Sequence, residues 1–308
     1  MTFKPIPEKI HERVSNNIVS QDNQDKLCRS KFVDDVTTAE AVKINTLTLK
    51  PNQSMIGPLP FKDSSKFELS PENSLLQKEI VKAKETSDDL QMVLNSDKTK
   101  IFTVNPSLNY QFIPRMRIPG ASSDLEVVSS TKLVGVTLTS DLKFHEHVKN
   151  IVSSGNKKLW MLRHLKQFNI SQSDLVEMFS IFIRSRLEYC VPVWNASLTI
   201  DDKEDIERIQ KTALKIIMGE TYEEYETALD QCNMKTLEQR REDLCLMFAL
   251  KCTRVEHHKH LFKLSENPLL HHPTKFETPF CLHERYRKSP IPYMTELLNR
   301  HYENTETI

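Results

Sequence analysis

The sequence predicts an α+β fold, with short strands in the first half of the chain and an all-α bundle after them. Three observations carry this. Between 98 and 139, four brief β-rich runs (KTKIFTV, QFIPRMRI, DLEVV and KLVGVTL) alternate with turn chemistry such as Pro119-Gly120. After Ser140 the apolar residues switch to helical spacing. And 308 residues, 38% hydrophobic and 27% charged, suffice for a real core and for two domains.

Taken in order, residues 1–30 are polar and aperiodic and read as poorly structured. Residues 31–140 hold the strands, interrupted by a Pro- and Ser-bearing stretch over 49–73 that reads as a loop. LLQKEIVKAK (75–84) reads as a short helix. In KLVGVTL, Gly135 among Leu133, Val134 and Val136 predicts a bulge or a close backbone approach. Residues 141–252 read as a helical bundle. Its first helix turns Phe144, Val148, Ile151, Leu159, Leu162 and Leu165 to one face. Ser171 and Asp174 have capping-box spacing for the next helix, whose MFSIFI core is apolar nearly all round and so is expected to be central. A third helix near Asp201 carries Ile206, Ile209, Ala213 and Ile216, with Gly219 as its stop. A fourth opens at Thr236, with Gln239 three residues on, and is expected to bury Leu237, Leu244 and Phe248. ETYEEYETAL (220–229) reads as a short amphipathic helix, Trp194 as core and Pro192 as a helix stop. Residues 253–308 are richer in His and Pro and less regular.

Lys+Arg and Asp+Glu both number 42, so any basic surface must be local. Only five glycines occur, and neither GxGxxG nor GxxxxGK[ST] is present, which excludes Gly-rich phosphate loops. Six dispersed cysteines without a CxxC read as reduced thiols. No apolar run approaches the roughly 20 residues of a membrane helix, and MTFKPIPEKIHERV lacks a signal-peptide core. The expectation is an intracellular protein without a membrane partner, with nucleus and cytoplasm not distinguished.

The stretch KFVDDVTTAE (31–40) runs an apolar pair into Asp34 and Asp35 and follows them with β-type residues. MVLNSDKTKIF (92–102), KLVGVTLTSDLKFHEHV (132–148), IRSRLEYCVPVWNASLT (183–199), IERIQKTALKIIMG (206–219), TLEQRREDLCLMFALKC (236–252) and RYRKSPIPYMTELLN (285–299) follow it. In order and spacing, from 31 to about 299, these motifs resemble the C-terminal part of the reverse transcriptase of non-LTR (LINE-type) retrotransposons, an RNA-directed DNA polymerase. The resemblance implies an incomplete palm of short antiparallel strands followed by a thumb and connector bundle. Asp34 and Asp35 match the catalytic hairpin of the palm, with Asp34 the closer Mg²⁺ ligand. Lys98, in the KTK segment, matches a region near the leaving pyrophosphate, although a solvated lysine at a strand entrance is the favoured reading there.

Two-metal polymerisation uses ions about 4 Å apart held by oxygen ligands. The family supplies a further aspartate from an earlier palm strand. The 33 residues before Asp34 offer only Asp22 and Asp25 in SQDNQDK, which has no strand pattern. The fingers and the first catalytic aspartate have no counterpart in these residues. The expectation is a truncated, catalytically inactive reverse-transcriptase relative, with Mg²⁺ implied by resemblance only and the site incomplete.

Template–primer binding by a thumb needs a local basic surface. Over 143–166 six basic residues stand against one acid, Glu146. On a helical wheel Lys149, Lys157 and Arg163 fall opposite the apolar stripe with His164 beside them, Lys158 and Lys166 lie nearer the seam, and Trp160 offers a stacking ring. Lys132, in the segment that resembles the primer grip, joins them as a nucleic-acid candidate. Cys252, His257, His258, His260, His271, His272, Cys281 and His283 invite a zinc site, but no CxxC anchors them and a flexible polar segment is the default. Two other classes stay open: a helical protein-interaction module, and a degenerate remnant without a selected role.

Overall fold

The computed structural model describes residues 27–32, 35–40, 66–69, 75–104, 111–265 and 275–306, with side chains over 76–104, 115–265 and 275–304. The chain divides into two compact units, Met1–Val128 and Ser129–Ile308. Among the described residues no helix is long and apolar enough to cross a membrane.

In the first unit, β1 (Leu27–Phe32) pairs antiparallel with β2 (Asp35–Glu40), and Phe32 stands opposite Asp35. β3 (Lys66–Leu69) precedes α1 (Leu75–Asp89), and β4 (Lys100–Phe102), β5 (Gln111–Pro114) and β6 (Glu126–Val128) follow it. β3 pairs with β5 and β4 with β6, both in parallel. This corrects the expectation of antiparallel strands. The chain between the partners is long enough for a crossover, so a parallel pairing is open to them. β3 also lies inside the 49–73 stretch expected to be loop. The core here is small: Ile101, Met116, Ile118 and Leu125 are buried, with Leu76, Ile80 and Leu94 packed on them. The Gln77 amide holds α1 to the Arg117 backbone, donating to its carbonyl (2.8 Å) and accepting from its N–H (3.0 Å).

In the second unit, β7 (Ser130–Leu133) and β8 (Val136–Thr139) pair antiparallel, so KLVGVTL is a hairpin that turns at Val134-Gly135. Both turn residues have positive φ, 46° and 86°, the geometry of a two-residue hairpin turn. A Cβ on Gly135 would come within 3.1 Å of the Tyr189 ring. α2 (His145–Gln167) then buries Val148, Ile151, Leu159 and Leu162 beside Phe144. Gly155 lets α2 approach closely, since a Cβ there would meet Leu187 and Ile209 at 3.4 Å.

α3 (Gln172–Met178) is capped by Ser171, whose hydroxyl accepts from the Asp174 amide at 3.2 Å. It runs into a π-helical segment, Phe179–Arg184, and a last α-turn, Ser185–Leu187. Leu175, Phe179, Ile183 and Leu187 are fully buried. In a pure α-helix a row spaced by four drifts around the axis; the wider π turns bring it back, so one straight stripe faces the core. Ile181 and Phe182 are exposed on the other side. The segment is central along one stripe, not all round.

α4 (Ile200–Met218) opens with a Thr199–Asp202 capping box. Its buried stripe includes Ile206, Ile209, Ala213 and Ile217, with Ile216 half-buried beside it. α5 (Tyr225–Gln231) buries Ala228 and Leu229. α6 (Leu237–Arg254) opens with a Thr236–Gln239 capping box and buries Leu237, Arg241, Cys245, Ala249 and Cys252. Leu244 is half-buried and Phe248 exposed, contrary to expectation. Pro192 opens a short helix, Val191–Trp194, after a left-handed Cys190. α7 (Pro290–Glu306) closes the chain with Met294, Leu297 and Leu298 in the core, a helix within the segment expected to be less regular.

Candidate nucleic-acid interface

The outer face of α2 is where the basic candidates come together. Lys149, Lys157 and Arg163 are all exposed. With 3.6 residues per turn they fall within about 120° of the helix circumference and span about 21 Å of its length. None of the three forms an ion pair among the described residues, whereas Lys203, Arg208 and Lys235 on the later helices pair with Glu238, Asp205 and Asp243. After Glu146 no carboxylate follows on α2. The face is therefore cationic, with exposed Glu146, one turn before Lys149, as the helix's one carboxylate.

Lys158 and Lys166 do different work. Lys158 is half-buried and its Nζ donates to the Phe182 carbonyl at 2.6 Å, in the π segment. Lys166 donates to the Ile217 carbonyl at 2.7 Å, in the last turn of α4, where carbonyls lack helical partners and a cation is favourable. These two lysines satisfy backbone groups and leave the open face to the other three. Lys132, exposed on β7, acts electrostatically on His147 near the start of α2.

Along the edge of this arc runs a column of rings. Trp160 is 65% exposed, and His164 stacks on it with centroids 5.0 Å apart and planes 12° from parallel. Phe168, at the C-cap and also exposed, meets His164 edge-on at 5.3 Å. Phe168 was missed by sequence reasoning; the 160/164/168 spacing on one helix face was the available signal.

The start of α2 is pinned by polar contacts. The buried His147 Nδ1 accepts from the Thr137 amide of β8, and Asn150 donates to the Thr137 hydroxyl, both at 3.2 Å. Burial pushes the His147 imidazole below its ordinary value, and Lys132 and Arg186 push it the same way. His145 contacts Asp202 at 2.6 Å. Burial raises the Asp202 carboxyl, but the Thr199 hydroxyl and amide and His145 outweigh it and hold it below the usual range.

A second polar group of residues lies between α4, α5 and α6, with Glu207 and Tyr225 half-buried. Glu207 accepts from the Tyr225 hydroxyl and from the Leu237 amide (3.1 Å) at the N-terminus of α6. Arg241 is fully buried and its Nε donates to Asn195 at 3.1 Å; burial pushes the guanidinium below its ordinary value, with Glu207 foremost among the carboxylates that oppose the shift. Burial pushes the neighbouring Cys245 thiol up to about 12, so it is inert as a nucleophile at neutral pH.

The polymerase candidates belong to the first unit. Asp34 is outside the described residues, and Asp35 is described only as the backbone that opens β2. Lys98 is exposed, and its amide donates to the Asn95 side chain at 3.1 Å in a turn before β4. Lys100 pairs with Glu126 across β4 and β6. Among the described residues no three His, Cys, Asp or Glu side chains are grouped to hold a metal. His257, His258 and His260 lie in or beside a 3₁₀ segment, Glu256–Leu261, while His271 and His272 are outside the described residues. In comparisons with protein-family models, curated proteins and solved structures, nothing matches the chain.

Proposed function

We propose that the chain is a reverse-transcriptase-derived protein, a palm remnant followed by a thumb and connector bundle, that binds template–primer nucleic acid through α2. One observation carries this reading: Lys149, Lys157 and Arg163 share an exposed arc without ion-pair partners among the described residues and with no carboxylate after Glu146. Such an arc suits phosphates, which supply sequence-independent affinity. The motif order from 31 to 299 supports the polymerase ancestry. These 308 residues carry only the paired-aspartate part of the family's metal site, Asp34 and Asp35, so binding without primer extension is the activity proposed for them.

The test is fluorescence anisotropy with a labelled RNA–DNA hybrid duplex. Replacing Lys149, Lys157 and Arg163 together by Glu abolishes binding and leaves the circular dichroism unchanged, because all three are exposed. Unimpaired binding by that variant places the contact elsewhere, and no binding by the wild-type chain at low salt ends the nucleic-acid reading.

One observation favours the rival protein-interaction reading. Beside α6 and α7 lies a groove of about 390 Å³ lined by Leu244, Leu246, Met247 and Leu250 together with the polar Lys235, Arg240, Asp243 and His301.

A further inference from the structure

We infer that the Trp160–His164–Phe168 column is a stacking site for the unpaired bases of a single-stranded nucleic acid. The inference rests on the nucleic-acid reading of α2 and specifies the form of the ligand. Large aromatic side chains normally contribute their area to a core or an interface. Trp160 and Phe168 are instead 65% and 66% exposed, two turns apart with His164 on the turn between them. His164 lies flat against the indole at 5.0 Å, which restrains the ring in one orientation before any ligand arrives; a restrained ring loses less freedom on binding.

Charge decides the occupant. Residues 147–170 contain Lys149, Lys157, Lys158, Arg163 and Lys166 and no carboxylate. A partner for these rings must therefore bring flat apolar surface and negative charge together. A nucleic-acid strand does so at every residue. In a duplex the faces of internal bases are covered by their neighbours. An unpaired strand presents them, and every base has a π-face, so the site is expected to be tolerant of sequence. Lys157 and Arg163, three residues either side of Trp160, are placed for the phosphates that flank the stacked base.

Three labelled probes test this: oligothymidylate of about 15 nucleotides, an abasic strand of the same length, and the hybrid duplex. The wild-type chain binds oligothymidylate roughly tenfold more tightly than the abasic strand, the effect of about one stacked base. Trp160→Leu, which keeps an apolar side chain but no ring, erases that preference and leaves duplex and abasic affinities unchanged; Trp160→Phe keeps most of it. Saturating oligothymidylate quenches the emission of the exposed Trp160, whereas Trp194, fully buried, does not respond. Equal affinity for the two strands, or a preference that survives in Trp160→Leu, overturns the stacking site while duplex binding leaves the phosphate reading standing. Failure to bind any of the three probes at low salt ends both.

Discussion

The Thr137 amide donates to His147 Nδ1 across 3.2 Å, joining β8 to the first turn of α2. This bond requires that Nδ1 carry no proton. The folded imidazole is held below its ordinary 6.5 by burial and by Lys132 and Arg186, whereas in the unfolded chain it titrates normally. The unfolded state therefore binds more protons as pH falls. The associated stability is fully present above about pH 6.5 and is lost as pH falls through the folded value. Urea denaturation between pH 7.5 and 5 should show a falling midpoint that His147→Gln flattens. An equal fall in the variant would assign the effect to other groups.

The Asp202 carboxyl gives a second, separate window. It is depressed from 3.8, with the Thr199 cap and His145 overcoming its burial. Its contribution is fully present above about pH 3.8 and is lost only below it. Asp202→Asn should therefore remove stability at pH 7 and little at pH 2. Weakening the charged bonds from the Asp202 carboxylate to Thr199 and His145 is expected to cost about 1 kcal/mol, measured by denaturation at both values.

Glu207 and Arg241 form a charge relationship inside the bundle. Replacing Glu207 by Leu removes the acceptor of the Tyr225 hydroxyl and the Leu237 amide and takes a counter-charge from a fully buried guanidinium. Leaving the Tyr225 hydroxyl and the Leu237 amide without their acceptor costs about 1–3 kcal/mol. Adding Arg241→Met should restore only the part of that loss that comes from the counter-charge, because the buried guanidinium is then gone. Strictly additive costs in the double-mutant cycle would show the two residues to be uncoupled.

Gly135 holds φ at 86° with the Tyr189 ring 3.1 Å from where a Cβ would stand. Gly135→Ala should destabilise the second unit by about 1–2 kcal/mol through the left-handed backbone alone. A variant as stable as the wild type would mean that the turn relaxes freely.

The helices were legible because their signals are local. Ser171 with Asp174 and Thr236 with Gln239 stand at fixed cap spacing, and the stripe from Phe144 to Leu162 repeats on one face. The α6 core was misread for a physical reason. Hydropathy favours Leu244 and Phe248, but the buried row runs through Leu237, Arg241, Cys245, Ala249 and Cys252, and includes a charge that only tertiary partners make tolerable. The parallel pairing of β4 with β6 was not legible, since strand direction depends on the path of the intervening chain. At the interface, the outward direction of Lys149, Lys157 and Arg163 follows from helix geometry. The carbonyl partners of Lys158 and Lys166 do not, because Phe182 and Ile217 belong to other elements.

Primer extension tests the proposed reading of Asp34 and Asp35. On the proposed reading these 308 residues do not extend a primer on RNA or DNA template with Mg²⁺ or Mn²⁺, because Asp34 and Asp35 would supply only part of the oxygen ligands that two hard cations need. Extension that disappears in Asp34→Asn would overturn this.

The salt dependence of duplex binding tests the central claim most directly. Each neutralised phosphate contributes a slope of about −0.9 to log K against log[salt] on B-form DNA. Contacts from Lys149, Lys157 and Arg163 together predict a slope of about −3, falling to about −2 in each single Lys or Arg→Ala variant. A wild-type slope near zero, or one that the three variants leave unchanged, would contradict binding through this face of α2.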